Sequence, residues 1–126
     1  MRRLLVLTAL ALAFPATAAA GGWATVQLSS TPAGMRAGTP WNVTVTVLQH
    51  GQTPLADVQP TITIRNGTRT LVFRTRPTGE IGAYRARVVF PKAGMWRYSV
   101  YDAFTEYGGA KVHTYAPIRI KPALAR

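Results

Sequence analysis

The feature that most constrains this chain is a two-residue period that returns in segment after segment. Trp41, Val43, Val45 and Val47 alternate with Asn42, Thr44, Thr46 and Leu48. The beat resumes at Val58, Pro60, Ile62 and Ile64, then at Leu71 and Phe73, and again at Tyr84, Ala86, Val88 and Phe90. It closes with Trp96, Tyr98 and Val100, and with Ile118 and Ile120 around Arg119. Side chains of an extended strand point alternately to opposite faces, so each segment can bury one face and wet the other. A surface helix needs apolar residues three or four apart, and the chain beyond residue 20 shows no such spacing.

Turn chemistry separates these segments: PAGMRAG, HGQTP, RNGT, RPTGEIG, FPKAG and YGGA. Glycine supplies positive φ, proline fixes φ, and Asn-Gly favours a tight hairpin. Short strands at regular intervals with turns between them predict an all-β fold, a seven-stranded antiparallel immunoglobulin-like β-sandwich. The expected strands cover about 23–30, 41–49, 58–65, 69–76, 83–90, 95–101 and 111–120. There are no cysteines, so neither a disulfide nor a thiolate metal site is available and the core must hold the domain alone.

The first residues read differently. Arg2 and Arg3 precede an apolar run from Leu4 to Phe14, and Ala18 and Ala20 have the small side chains of a cleavage site. This is the pattern of a secretory signal peptide over 1–20, which leaves a domain over 21–126. The apolar run is short for a membrane span of about 20 residues. Loss of the two positive charges Arg2 and Arg3 lowers the formal net charge from +11 to +9. The expected product is exported: periplasmic, on the cell surface or extracellular. A charge of this size favours anionic partners, such as lipid headgroups or acidic cell-wall polymer. Nucleic acid is the least expected of these for an exported chain.

Four stretches together, "GGWATVQL", "VTVLQHGQTPL", "PTGEIGAYRARVVFPKAGMWRYSVYDAF" and "HTYAPIRI", resemble the YtkA-like/FixH-like family of exported bacterial immunoglobulin-like domain proteins. The resemblance runs from Gly22 to Ile120. Its most specific piece is Gly-x-Tyr, an alternating strand, Phe-Pro-x-Ala-Gly-x-Trp and a second strand. The resemblance implies an immunoglobulin-like fold outside the cytoplasm. FixH-like members are associated with copper supply to respiratory oxidases and usually keep a membrane helix, whereas this chain's apolar start reads as a cleaved leader.

In an immunoglobulin-like sandwich, successive loops alternate between the two ends. That arrangement gathers His50, Asp57, Glu80, Asp102, Glu106 and His113 at one end, and places Arg36, Arg65, Arg69, Lys92, Met35 and Met95 at the other. Imidazoles with nearby carboxylates are donors that Cu²⁺ or Zn²⁺ accepts, so His50, His113, Asp102 and Glu106 are the candidate metal ligands. Arg74, Arg76, Arg85 and Arg87 should point outward from two neighbouring strands and form an anion-binding surface. Trp41, Tyr84, Trp96 and Tyr98 fall on the apolar faces and are expected in the core. Tyr101, Phe104, Tyr107 and Tyr115 are expected on the surface around the last loop.

No nucleophile elbow, HExxH zinc motif, P-loop or dinucleotide fingerprint is present, so no enzyme activity is expected. The expected function is a non-catalytic exported binding or assembly-accessory module of the YtkA/FixH-like kind, with a protein, membrane or cell-wall partner. One alternative is a copper-handling protein using the histidine-bearing end. Another is a basic domain adhering to anionic membrane or cell-wall polymer.

Overall fold

The computed structural model describes residues 23–125. The expected signal peptide and its cleavage point after Ala20 lie outside them. Among the described residues no helix is long and apolar enough to cross a membrane.

The alternating segments form strands. In chain order they are β1 (Ala24–Leu28), β2 (Pro40–Gln49), β3 (Thr53–Pro54), β4 (Thr61–Asn66), β5 (Arg69–Arg74), β6 (Arg76–Pro77), β7 (Ala83–Val89), β8 (Gly94–Tyr101), β9 (Val112–Thr114) and β10 (Ile118–Ile120). One sheet has the order β1-β2-β7-β6, with β3 also paired to β2. The other has the order β10-β8-β4-β5, with β9 also paired to β8. All these ladders are antiparallel. The result is an all-β, sandwich-like fold.

The core lies between the sheets. Val43, Val45 and Val47 of β2 and Ala86 and Val88 of β7 face Ile62 and Ile64 of β4 and Val100 of β8, all buried. Burying an aliphatic side chain of this size contributes about 1.5–3 kcal/mol. Aromatic rings join the layers. The Trp41 ring meets Tyr98 edge-on at 5.8 Å, and Phe90 meets Trp96 at 5.5 Å. Both buried indoles find acceptors: Trp41 Nε1 donates to Ser30 Oγ and Trp96 Nε1 donates to the Lys92 carbonyl, each at 2.9 Å. Tyr84 donates its hydroxyl to the Leu55 carbonyl at 2.6 Å, tying β7 to the β3–β4 connection.

The β4–β5 turn shows why the sequence folds locally as it does. Asn66 pairs with Arg69, and Gly67 (φ 60) takes the first central position, where a type II′ hairpin needs positive φ.

The strand expected over 69–76 is not continuous. β5 ends at Arg74 in one sheet, and β6 begins at Arg76 in the other. Thr75 between them is buried and donates its hydroxyl to the Pro60 carbonyl at 2.7 Å. That bond satisfies a polar side chain at the crossing, and Pro77 has no N–H to extend the β6 ladder. The strand expected over 111–120 is likewise divided, into β9 and β10, with Pro117 between them.

Candidate functional site

At one end of the sandwich, β8 runs into a loop organised by one carboxylate. Asp102 is 1% exposed. Its Oδ1 accepts from Phe104 N at 2.9 Å and from Lys111 N at 3.3 Å, and its Oδ2 lies 2.7 Å from His113 Nε2. β9 pairs with β8 so that His113 sits opposite Val100, which brings its ring back to Asp102. With Asp102 ionised, the hydrogen in that bond belongs to Nε2. A buried carboxylate needs such partners, since stripping one of water without them is costly.

His50 lies in the turn between β2 and β3, and Glu106 in the loop between Asp102 and His113. His50 (φ 54) and Gly51 (φ 70) form the centre of a tight turn in which Gln52 N donates to the Gln49 carbonyl at 2.9 Å. Both central residues are left-handed there, as a type I′ turn demands, and histidine enters that region more readily than most residues. The His50 ring lies against Trp23 at 5.3 Å. Glu106 is exposed in the loop after β8. Among the described residues, no group of three or more His, Asp or Glu side chains is arranged to hold a metal ion.

Two of the aromatic residues expected on the surface face inward. Phe104 is 7% exposed and belongs to the core, because Ala103 (φ 60) and the bond from Phe104 N to Asp102 turn the chain inward. Tyr115 is half-buried and stacks on Tyr98 at 5.0 Å with an interplanar angle of 4°. Burial raises the pKa of both phenols, and for Tyr115 the neighbouring Tyr98 raises it further. Tyr101 and Tyr107 are exposed.

The second candidate region is the outer face of the β1-β2-β7-β6 sheet. Arg85 and Arg87 alternate with buried Tyr84, Ala86 and Val88, so they face solvent. β6 sets Arg76 directly opposite Arg85, and Arg74 reaches the same place from the end of β5. The four arginines thus come together across the break at Thr75, where the sequence suggested two neighbouring strands, the first of them continuous over 69–76. With Asn42 and Thr78 they line a groove of about 640 Å³. Among the described residues no carboxylate stands within ion-pair distance of these guanidinium groups. Like charges facing each other across two strands are destabilising, on the scale of a few tenths to about 1 kcal/mol. A guanidinium presents a planar fork of donors that matches carboxylate or phosphate oxygens.

No family model matches the sequence, and no curated protein matches it. Among solved structures the chain is similar to a superoxide reductase (neelaredoxin) from Ignicoccus hospitalis. The identity is 15%, the match covers 86% of each chain and the TM-score is 0.44. At that level the likeness carries no argument about this chain's chemistry.

Proposed function

We propose that this protein is a non-catalytic, exported, immunoglobulin-like binding module that takes an anionic partner on its arginine groove. The observation that carries this reading is the groove itself. Arg74, Arg76, Arg85 and Arg87 line it, and no carboxylate stands within ion-pair distance of them among the described residues. Facing arginines cost stability in the free protein, and an anion placed between them removes that cost. The site is an open groove across the outer face of β7 and β6 and the end of β5, which suits an extended ligand better than an enclosed small molecule. The repeated passage of the chain between two antiparallel sheets supports the immunoglobulin-like reading, and the leader-like start supports export.

The test is retention of the domain on an immobilised phosphate-bearing matrix across a salt gradient. Arg76→Gln and Arg85→Gln should each elute at clearly lower salt than wild type. Arg69→Gln is the control: it removes the same charge from an exposed position outside the groove. Equal shifts in all three variants would mean that only net charge matters, and the groove would lose its role.

A further inference from the structure

A second pair of facing arginines lies on the other sheet. β4 and β8 pair so that Arg65 stands directly opposite Arg97, and both are exposed. They alternate with buried Ile64, Trp96 and Tyr98, so they belong to the outer face of the β10-β8-β4-β5 sheet. Their surroundings are rich in hydroxyls. Thr63 pairs with Ser99, and Ser99 pairs on its other side with Thr114, which sets a row of three hydroxyls beside the arginines. Thr63, Arg65, Arg97, Ser99, Thr114 and Tyr115 line a groove of about 390 Å³. Arg65 Nε donates to Thr70 Oγ1 at 3.2 Å, which fixes the guanidinium and leaves its terminal nitrogens for a ligand. Here too no carboxylate pairs with either arginine among the described residues.

We infer that this groove is a second anion site, selective for phosphate groups, and that the domain bridges linear phosphate-bearing polymer through its two opposite faces. The inference rests in part on the first groove and adds a separate site with its own residues. A phosphate presents several oxygens in a tetrahedron, and each can accept more than one hydrogen bond. Two guanidinium forks with a row of hydroxyl donors supply that many bonds, whereas a carboxylate has only two oxygens to receive them. The occupant is a polymer because of where the two sites lie. They are on the outer faces of two sheets packed core to core, so a single flat membrane reaches only one of them. Two polymer strands, or two parts of one flexible strand, reach both. Two sites on one rigid body then raise the avidity for a polymer well above that of either site.

The experiment is titration calorimetry of the folded domain with tripolyphosphate, followed by light scattering with long-chain polyphosphate. Tripolyphosphate is too short to span the molecule, because the sheets alone lie about 10 Å apart. Wild type should bind two equivalents. Arg97→Gln should bind one, and so should Arg85→Gln, each with the circular dichroism spectrum of wild type. Ser99→Ala should weaken the second site several-fold while leaving the first unchanged. With the long polymer, wild type should scatter strongly through cross-linking, and either single-site variant should bind without scattering. One equivalent, lost in Arg85→Gln and kept in Arg97→Gln, would overturn the second site and leave the first groove standing. One equivalent with the reverse pattern would support the second site and remove the proposed function of the first. Binding of phosphatidylglycerol vesicles with no binding of polyphosphate would overturn the polymer as occupant.

Discussion

Asp102 shows how one side chain organises a loop. The chain leaves β8, turns through Ala103 in a left-handed conformation and returns as β9, and the Asp102 carboxylate accepts from both limbs. Asp102→Ala strips the buried Phe104 N–H of its acceptor and releases Lys111 N and His113. The expected cost is about 2–4 kcal/mol in a denaturant melt, since each buried donor left unpaired costs about 1–3 kcal/mol. Amide exchange at Phe104 and Lys111 should speed up more than exchange in β2. Asp102→Asn keeps one acceptor oxygen and should recover about half of the loss. A variant as stable as wild type would show that water satisfies those donors equally well. Gly82 carries a different constraint. It has φ +85, and a Cβ there would stand 2.7 Å from Pro54 Cβ and 3.0 Å from Pro54 Cα. Gly82→Ala should therefore cost about 1–3 kcal/mol and loosen β3 from β2, read by thermal melting and by exchange at Leu55, whose N–H donates to the Val47 carbonyl. Some of this is visible in sequence. The expected loop alternation gathers Asp102 and His113 at one end, and a separation of eleven positions is short enough for a hairpin to bring them together. That Asp102 is buried, and that Phe104 follows it inward, depends on backbone angles that no residue pattern there announces.

At the scale of elements, the period-two pattern identifies the strands because it states which face is buried. β2, β7 and β8 have alternating burial along nearly their whole length, as Trp41, Tyr84 and Trp96 suggested. The pattern does not say which sheet a strand joins. Arg74 and Arg76 have the spacing of one outward face, yet a sheet boundary falls between them at Thr75, decided by its bond to Pro60 across the fold. Local periodicity is blind to such a crossing because the residue that accepts the Thr75 hydroxyl lies fifteen positions away. The meeting of β8 with the segment after β9 gives a pH prediction. Tyr98 and Tyr115 stack there, and burial raises both phenols above the ordinary value of 10.0. A raised pKa means that the folded state holds the proton more tightly than the unfolded chain does. The associated stability is intact below about pH 10 and is lost as pH rises through the folded values. Tyrosinate absorbance should show these two phenols ionising above the ordinary value of 10.0, and stability should fall across that range. In Tyr98→Phe, Tyr115 should ionise at lower pH than in wild type, because its charged neighbour is gone. An unchanged Tyr115 titration would leave desolvation as the whole cause.

Over the whole molecule, charge is distributed against stability. The chain carries 15 Lys and Arg against 4 Asp and Glu. One of the acids, Asp102, is buried and committed to its loop. The positive charges are not merely dispersed: two pairs of arginines face each other across ladders, Arg76 with Arg85 and Arg65 with Arg97, one pair on each sheet. If these pairs exist for a ligand, relieving them should stabilise the free protein while weakening binding. The double variant Arg76→Gln/Arg85→Gln should gain a few tenths to about 1 kcal/mol at low ionic strength. For a domain of this size, 1 kcal/mol is a rise of about 4–8 °C in Tm. The gain should shrink as salt is added, because at 0.1 M the screening length is about 10 Å and at 1 M about 3 Å. Adding long-chain polyphosphate should reverse the order, raising the Tm of wild type above that of the variant, because a ligand stabilises only the state that binds it. The alternative is that the arginine stems cover apolar surface and their heads are incidental. That alternative makes the opposite forecast: the double variant melts lower at every salt concentration, and polyphosphate shifts both proteins alike.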